Sequence, residues 1–247
     1  DIEEKNWDAP ERLKECHEKM KMTAGNLLQL VNDVLDMNRL ETSGLEVEHK
    51  PFDIREVLRG CWTDLESQAE KMGLELEKIG VSEIECPHVV GSPMHFRQIF
   101  ANILSNAVKY NHDGGSVTVT CREISYTDTI AEYELTCTDT GIGMSEEFQK
   151  KAFEPFAQEG QSARTKYAGT GLGLAIARKL TELQGGTLFF ESIQGKGTKF
   201  ILHISFEISA EEQEKKSHMY QNCSVEGIQV LLVEDNELNM EIAEFLL

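Results

Sequence analysis

Basic side chains are scarce in this sequence. Only 24 Lys and Arg residues stand against 43 Asp and Glu residues in 247, so the formal net charge is -19. Nucleic acids and anionic membrane surfaces bind positively charged protein faces, and the composition therefore disfavours both as partners. An acidic protein that binds a polyanion must screen its own field locally, so a metal ion is expected at any phosphate site.

Long apolar runs and paired cysteines are also missing. No apolar stretch reaches the ~18 residues that a membrane-spanning helix needs, and the charged first residues do not resemble a signal peptide. The 6 cysteines form no CxxC pair and no metal-ligand spacing, which favours free thiols in a reducing cytoplasm. These observations do not bear on a membrane segment before residue 1. The cysteines are Cys16, Cys61, Cys86, Cys121, Cys137 and Cys223.

The first long segment has the pattern of one bundle helix. Apolar residues recur at a seven-residue spacing from about Pro10 to Leu40, and Pro10 suits a first helical turn. A core helix of a larger domain is the alternative. The stripe consists of Leu13, Cys16, Met20, Thr23, Leu27, Leu30, Val34 and Met37, widened by Leu28, Val31 and Leu35.

Helix and strand signals then alternate. We expect Asp53 to cap a helix that runs to about Lys71, after a boundary at 50–53. Residues 209–226 are polar and charged, as in a linker. The buried-type strand 228–233 and the amphipathic run after it predict the opening of a second domain. Other predicted helices are 95–110 and 172–184, and predicted strands are 45–48, 74–77, 117–121, 133–137, 187–191 and 198–206.

A polar ladder lies on the predicted helix 95–110. Asn102, Asn106 and Lys109 follow one another at helical spacing, so they share one face, opposite an apolar one. Amide oxygens can coordinate Mg²⁺ without adding charge beside a triphosphate, and a lysine can offer a point charge to phosphates. An ordinary amphipathic helix with solvated amides is the alternative.

A carboxylate at a strand end defines a second cluster. Asp139 continues the inward parity of the strand 133–137, and a buried carboxylate needs a partner. The exocyclic amine of adenine is one such donor. Gly141 and Gly143 would let the backbone approach a base closely. A plain Asp-x-Gly turn is the alternative.

A glycine-rich run opens the predicted helix 172–184. Residues 169–174 read Gly-Thr-Gly-Leu-Gly-Leu, and a helix N-terminus presents N–H groups and a positive dipole to phosphate. The spacing matches neither the Rossmann fingerprint nor the Walker A loop. The polar segment 157–168 has the composition of a mobile lid. Phe153 and Phe156 would anchor the base of this lid, or they are plain core aromatics.

Thr198 lies at the start of the last predicted strand, with the parity of its inward residues. Its hydroxyl is either a second polar group near a base or is satisfied by backbone. The three clusters, in this order and within one domain's length, argue together for an ATP site.

The ordered motifs resemble the catalytic ATP-binding domain of bacterial sensor histidine kinases, in the superfamily with gyrase, mismatch-repair and heat-shock chaperone ATPases. The resemblance covers residues from about 45 to 207. Five motifs carry it: an N box at 102–110, a Gly box at 139–144, an F box at 153–156, a second Gly box at 169–174 and a closing motif at 195–200.

The resemblance implies an α/β fold and a division of the chain. The fold is a two-layer α+β sandwich of the Bergerat ATP-binding type, with a mixed β-sheet and helices on one face, preceded by the long bundle-type helix. Residues 1–44 would be the second helix of a dimerisation and phosphoacceptor hairpin, and 45–208 the catalytic domain. Residues 209–226 would be a linker, and 227–247 the start of a receiver domain, as in a hybrid kinase.

The same resemblance implies roles for single residues, with ATP and Mg²⁺ as cofactors. Asn102 and Asn106 would bind the metal and phosphates, Lys109 and Tyr110 would flank the nucleotide, and Asp139 would accept from the adenine amine. Catalysis would depend on Asn102, Asn106 and Lys109. The implied nucleotide-binding set is Asn102, Asn106, Lys109, Tyr110, Asp139, Gly141, Ile142, Gly143, Phe153, Phe156, Gly169, Thr170, Gly171, Leu172, Gly173, Leu174 and Thr198.

Two departures from the family pattern bear on function. None of the 7 histidines fits the phosphoacceptor motif, and we interpret His17 as a surface or seam residue. The acceptor is therefore expected before residue 1, and the receiver's acceptor Asp beyond residue 247. Ser92 replaces a usual Asp, which could weaken a helix cap.

Three functions compete. The leading one is a protein histidine kinase. Its partners would be ATP, a second copy of the chain bound through the hairpin helix, a receiver domain in cis and a separate response regulator. A hydrolytic ATPase is second, but relatives of that type carry a Glu four residues before the N-box Asn, where this chain has Asn102 or Gln98. A nucleotide-binding scaffold without kinase activity is third. We expect a cytoplasmic module whose full-length protein is anchored, if at all, in the inner membrane.

Overall fold

The computed structural model describes residues 10–42, 48–159 and 170–210. Gly169, the predicted linker beyond residue 210, the predicted opening of a second domain and most of the predicted strand 45–48 lie outside the described residues. The helices are α1 (Pro10–Thr42), α2 (Ile54–Ala69), α3 (Pro93–Lys109), α4 (Glu146–Gln149) and α5 (Gly173–Leu183). The strands are β1 (Lys50–Asp53), β2 (Glu75–Ile79), β3 (His88–Gly91), β4 (Ser116–Tyr126), β5 (Ile130–Asp139), β6 (Thr187–Ile193) and β7 (Gly197–Ile208).

The strands form one mixed sheet of seven strands in the order β1-β3-β7-β5-β4-β2, with β6 also paired to β7. Only β2 and β4 pair in parallel among these strands. The long strand β7 pairs with β5 along one side, while its first half pairs with β6 and its end with β3. This register sets Thr198, at the start of β7, opposite Asp139 at the end of β5.

The core lies between one face of the sheet and helices α2, α3 and α5. Alternate residues of β5 and β7 are buried, and α3 packs against both other helices and against β5. A T-shaped ring contact of Phe206 on β7 with Phe96 on α3 joins the two layers at a centroid distance of 5.6 Å. The predicted α/β sandwich with a mixed sheet is therefore confirmed.

The edge of the sheet departs from the sequence prediction. Lys50–Asp53 is a strand and not merely a boundary, and β3 (His88–Gly91) was not predicted, because these short segments lack a periodic apolar pattern long enough to be distinctive. The two helix starts follow their capping residues. Asp53 accepts from Arg55 N at 2.8 Å, and Ser92 accepts from His95 N at 3.3 Å, so Ser92 does cap α3.

Helix α1 is docked at its C-terminal end. Leu40 is buried, Met37 packs on the core, and Asp36 Oδ2 accepts from Gln98 Nε2 of α3 at 2.9 Å. Between Met20 and Leu35, the residues of the predicted apolar stripe are exposed, with Leu27 and Leu28 more than 60% accessible. No described helix is both long enough and apolar enough to cross a membrane.

Candidate functional site

One pocket of about 1090 Å³ opens where α3 and α5 meet the ends of β5 and β7. Its walls bring the three polar clusters of the sequence together. We call its two parts the strand end, at Asp139, Thr198 and Met144, and the helix end, at Asn102, Asn106 and Lys109. The described lining residues are Leu30, Asp33, Asp64, Ser67, Gln68, Ala101, Asn102, Ser105, Asn106, Lys109, Tyr110, Asp139, Ile142, Gly143, Met144, Phe148, Ala152, Ala157, Gln158, Glu159, Thr170, Gly171, Gly173, Leu174, Thr198 and Phe200.

The carboxylate of Asp139 dominates the strand end. The residue is only 7% exposed, and its Oδ1 accepts from Gly141 N at 2.9 Å and from Thr198 N at 3.2 Å. Burial raises the pKa of this carboxyl to about 6, although both backbone hydrogen bonds favour the charged form and act against that rise. With Oδ1 engaged by backbone, Oδ2 is the oxygen suited to accept from a ligand.

Gly141 and Gly143 are required by the protein's own packing. A Cβ on Gly141 would lie 2.3 Å from the carbonyl oxygen of Tyr110, and one on Gly143 would lie 2.1 Å from that of Ile193. Gly143 also has a φ of 62°, in the left-handed region. The predicted reason, close approach to a ligand, is therefore not needed to explain either glycine.

The segment that carries these glycines is held from several sides. Ile142 N donates to Tyr110 O at 3.0 Å, and Gly195 N donates to Ile142 O at 2.7 Å. Met144 N donates to Ser192 Oγ at 2.9 Å, and Gln149 Nε2 donates to Met144 O at the same distance. The strand end is thus fixed by hydrogen bonds before any ligand arrives.

Ser192 joins this segment to Thr198. Its Oγ lies 2.9 Å from Thr198 Oγ1 and 3.1 Å from Gly197 O, and the two side chains face each other across β6 and β7. Thr198 itself is buried and lines the pocket, as its parity predicts.

The helix end is built on α3. Asn102, Ser105 and Asn106 line the pocket at helical spacing, and each is half-buried. An added Cβ on Gly173 would lie 3.3 Å from Asn102 Oδ1, so this amide oxygen is close to the first residue of α5. The amide oxygens and the N-terminus of α5 therefore border the same space.

Lys109 is the one basic side chain among the described lining residues. It shares the pocket with four carboxylates, those of Asp33, Asp64, Asp139 and Glu159. Its Nζ lies 4.8 Å from the ring centroid of Tyr110, and burial lowers the pKa of the amine. The lining is negative overall, so a polyanion needs an added cation to enter favourably.

The second Gly box lies partly in the pocket. Thr170, Gly171, Gly173 and Leu174 line it, whereas Leu172 is fully buried behind it. Thr170 Oγ1 accepts from Leu172 N at 3.2 Å and donates to Asp33 Oδ2 of α1 at 2.8 Å. Helix α1 therefore reaches the edge of this pocket.

The two F-box aromatics are not among the lining residues. Phe153 packs on Phe190 at a centroid distance of 5.3 Å and lies under Arg178, which fits an aromatic that anchors a loop. Phe156 is 60% exposed and has a φ of 63°, so its side chain does not anchor anything by burial. The anchoring prediction is wrong for Phe156, because the chain turns through the left-handed region there. Gly141 also lies behind the pocket, as a buried residue.

Sequence reasoning missed three groups of site residues. Ser192 and Gln149 support the strand end. Of these two, only Ser192 had a sequence signal, which was its inward parity in its strand. Met144 is the last residue of the first Gly box and Phe148 follows that box, and the apolar character of both gave no functional signal. Residues of α1 and α2 reach the pocket through tertiary packing, which no local pattern encodes.

Comparison with known proteins agrees with this geometry. The family model for histidine kinase-, DNA gyrase B- and HSP90-like ATPases matches residues 91–208. The chain is 34% identical over 190 residues to the signal transduction histidine-protein kinase BarA of Escherichia coli K12, covering 77% of this chain and 20% of that protein. It is 35% identical over 226 residues to the sensor histidine kinase AruS of Pseudomonas aeruginosa, covering 91% of this chain and 22% of that protein.

Among solved structures, full-length ShkA in complex with AMPPNP is similar, with a TM-score of 0.64 and 27% identity over 81% of this chain and 40% of that one. The chain spans about a fifth of the length of BarA and AruS. The family model, these relatives and the pocket agree on one assignment. Residues 91–208 belong to the histidine kinase-, DNA gyrase B- and HSP90-like ATPases, and they form an ATP-binding module similar to that of sensor histidine kinases.

Proposed function

We propose that this chain is the catalytic ATP-binding part of a two-component histidine kinase. It transfers the γ-phosphoryl group of ATP to a histidine that is not among its own residues, and from there the group passes to an Asp of a receiver domain. The observation that carries the proposal is the single pocket in which an Asp139 carboxylate with one engaged oxygen lies together with Asn102, Asn106 and Lys109.

The strand end suits the adenine base. Asp139 Oδ2 accepts from the exocyclic amine, and the exposed side chain of Ile142 offers an apolar surface beside it. Because Oδ1 is held by backbone N–H groups of Gly141 and Thr198, the carboxylate keeps its orientation without the ligand. Recognition then costs little ordering.

The helix end suits the phosphates. Asn102 and Asn106 are the proposed magnesium and phosphate ligands, since amide oxygens fit the hard cation and the four lining carboxylates make an added cation favourable. A bound Mg²⁺ neutralises phosphate charge. Lys109 and the N-terminal N–H groups of α5 offer further positive charge to the phosphates. Catalysis in this arrangement depends on positioning and charge neutralisation.

Water activation has weaker support. Gln98, one helical turn before Asn102, donates to Asp36 and does not line the pocket. Three of the lining carboxylates already have protein partners: Asp33 with Thr170, Asp64 with Arg97, and Glu159 with Ser145 N. We therefore expect slow hydrolysis.

The partners follow from the proposed domain division. Residues 1–44 would form the second hairpin helix and contribute to a homodimer, residues 45–208 the catalytic domain, 209–226 a linker and 227–247 the start of a receiver domain in cis. A separate response regulator is a further partner. His17 is exposed on α1, which supports its interpretation as a surface residue, and the absence of the family's acceptor motif around it is the argument against an acceptor role. We propose a cytoplasmic location for this part.

Titration calorimetry with a non-hydrolysable ATP analogue tests the proposal. We expect binding in Mg²⁺ and much weaker binding in EDTA. Incubation with labelled ATP should leave no acid-labile phosphate on the chain and release inorganic phosphate only slowly. Absence of nucleotide binding would refute the proposal. Acid-labile phosphate on one of the chain's own histidines would contradict the assignment of the acceptor.

A further inference from the structure

Ser192 is the hub of the hydrogen bonds at the strand end. Its Oγ is within bonding distance of three groups: Met144 N at 2.9 Å, Gly197 O at 3.1 Å and Thr198 Oγ1 at 2.9 Å. The side chain is half-buried and has the inward parity of Leu188 on β6. It lies behind Thr198 as seen from the pocket wall, because Thr198 lines the pocket and Ser192 does not.

Counting protons fixes the direction of these bonds. A hydroxyl has one proton to donate and two lone pairs to accept with. Met144 N can only donate, so it occupies one lone pair of Ser192. The carbonyl of Gly197 can only accept, so it takes the Ser192 proton. The remaining lone pair of Ser192 can only accept, and the proton of Thr198 must therefore point toward Ser192.

We propose that Ser192 is a positioning residue that fixes the Thr198 hydroxyl as an acceptor toward the pocket and so selects a 6-amino purine over a 6-oxo purine. The inference rests on the proposed function, since it assumes that the base lies at the strand end. Asp139 and Thr198 face each other across β5 and β7, and both then present acceptors to the base.

Two adjacent acceptors distinguish the two purine classes by whether position 6 of the base donates or accepts a hydrogen bond. The amine of adenine has two protons to offer, whereas the carbonyl of hypoxanthine has only lone pairs and is repelled. Leaving a polar group without a partner, or facing a like one, is what makes hydrogen-bonding sites selective. Without Ser192, the Thr198 proton is released and can donate to a 6-oxo group.

The test compares ADP with IDP, which differ only at the base, by calorimetry in Mg²⁺. Ser192→Ala should lower the preference for ADP over IDP by about fivefold to tenfold, the worth of one neutral hydrogen bond. Ser192→Thr keeps the hydroxyl and should restore the wild-type ratio. Ser205→Ala, an exposed serine on β7, is the matched control and should leave the ratio unchanged.

A merely structural role for Ser192 would weaken ADP and IDP equally, and an unchanged ratio in Ser192→Ala would overturn the inference. Thr198→Val gives a second measurement that does not depend on the folding of Ser192→Ala. It should lose the same selectivity, and adding Ser192→Ala to it should change the ratio no further. If the wild type binds neither nucleotide, the proposed function itself fails. If the wild type binds ADP and both variants keep its ratio, only this inference fails.

Discussion

The two ends of the pocket are built on different principles. At the strand end, the polar groups are bound to one another and to backbone: Asp139 to Gly141 and Thr198, and Ser192 to Met144. At the helix end, Asn102, Asn106 and Lys109 are presented side by side on one helix face, among carboxylates that repel an anion. The strand end is suited to recognise one rigid base, whereas the helix end is suited to a flexible, charged group that arrives with its cation.

The largest expected effect is at the strand end. Asp139→Asn keeps an oxygen that can accept from the two backbone N–H groups, but it replaces the charged Oδ2 acceptor with an NH₂ group. We expect about 100-fold weaker binding of ATP, as for the loss of a hydrogen bond to a buried charged group. Calorimetry in Mg²⁺ measures it, with the exposed turn residue Asp113→Asn as control. Undiminished affinity in Asp139→Asn would mean that the base does not lie at the strand end.

The charged form of the buried Asp139 carboxyl should also lower the free energy of unfolding. Its folded pKa of about 6 lies above the ordinary value of an Asp carboxyl, 3.8, so the folded state binds this proton more readily than the unfolded state does. The wild type should therefore gain free energy of unfolding relative to Asp139→Asn as the pH falls from 8 through 6 toward 4, by on the order of 2 kcal/mol. Urea unfolding of both proteins across this range measures the difference. A constant difference between the two curves would refute the raised pKa.

The helix end should respond to magnesium and not to the base. Asn106→Ala should weaken ATP binding in Mg²⁺ about tenfold through the lost amide oxygen, yet leave the ratio of ADP to IDP affinity unchanged. Calorimetry with and without EDTA separates the two effects. Gln98→Ala on the same helix is the control, because Gln98 contacts α1 and not the pocket. A changed ratio of ADP to IDP affinity in Asn106→Ala would contradict the assignment of the base to the strand end and the phosphates to the helix end.

The smallest effect is expected at the border formed by α1. Asp33→Asn keeps an acceptor for Thr170 but removes one negative charge from the pocket lining. ATP affinity should rise about threefold at low salt and return toward the wild-type value at 0.5 M salt, since screening weakens the repulsion. Asp36→Asn removes the same charge from α1 outside the lining. Equal gains in both variants would indicate a general field effect and not a local one.

Local patterns in the sequence predicted the polar residues of the site but not the way in which they are held. Strand parity placed Asp139 and Thr198 inward, and helical spacing placed Asn102 and Asn106 on one face, because these periodicities are intrinsic to the backbone. The supporting bond from Ser192 and the approach of Asp33 depend on which elements become neighbours in space. The left-handed turn at Phe156 was also invisible, since a phenylalanine rarely adopts it.

The register of β7 has a consequence for how the domain opens. Thr198, at the start of β7, pairs with Asp139 of β5 and Ser192 of β6, so three strands meet at this end of the sheet beside the pocket. A nucleotide that binds beside Thr198 would stabilise the folded state by mass action, so local opening of β5, β6 or β7 at this end would compete with binding. Bound nucleotide would therefore protect this end of the sheet against local unfolding.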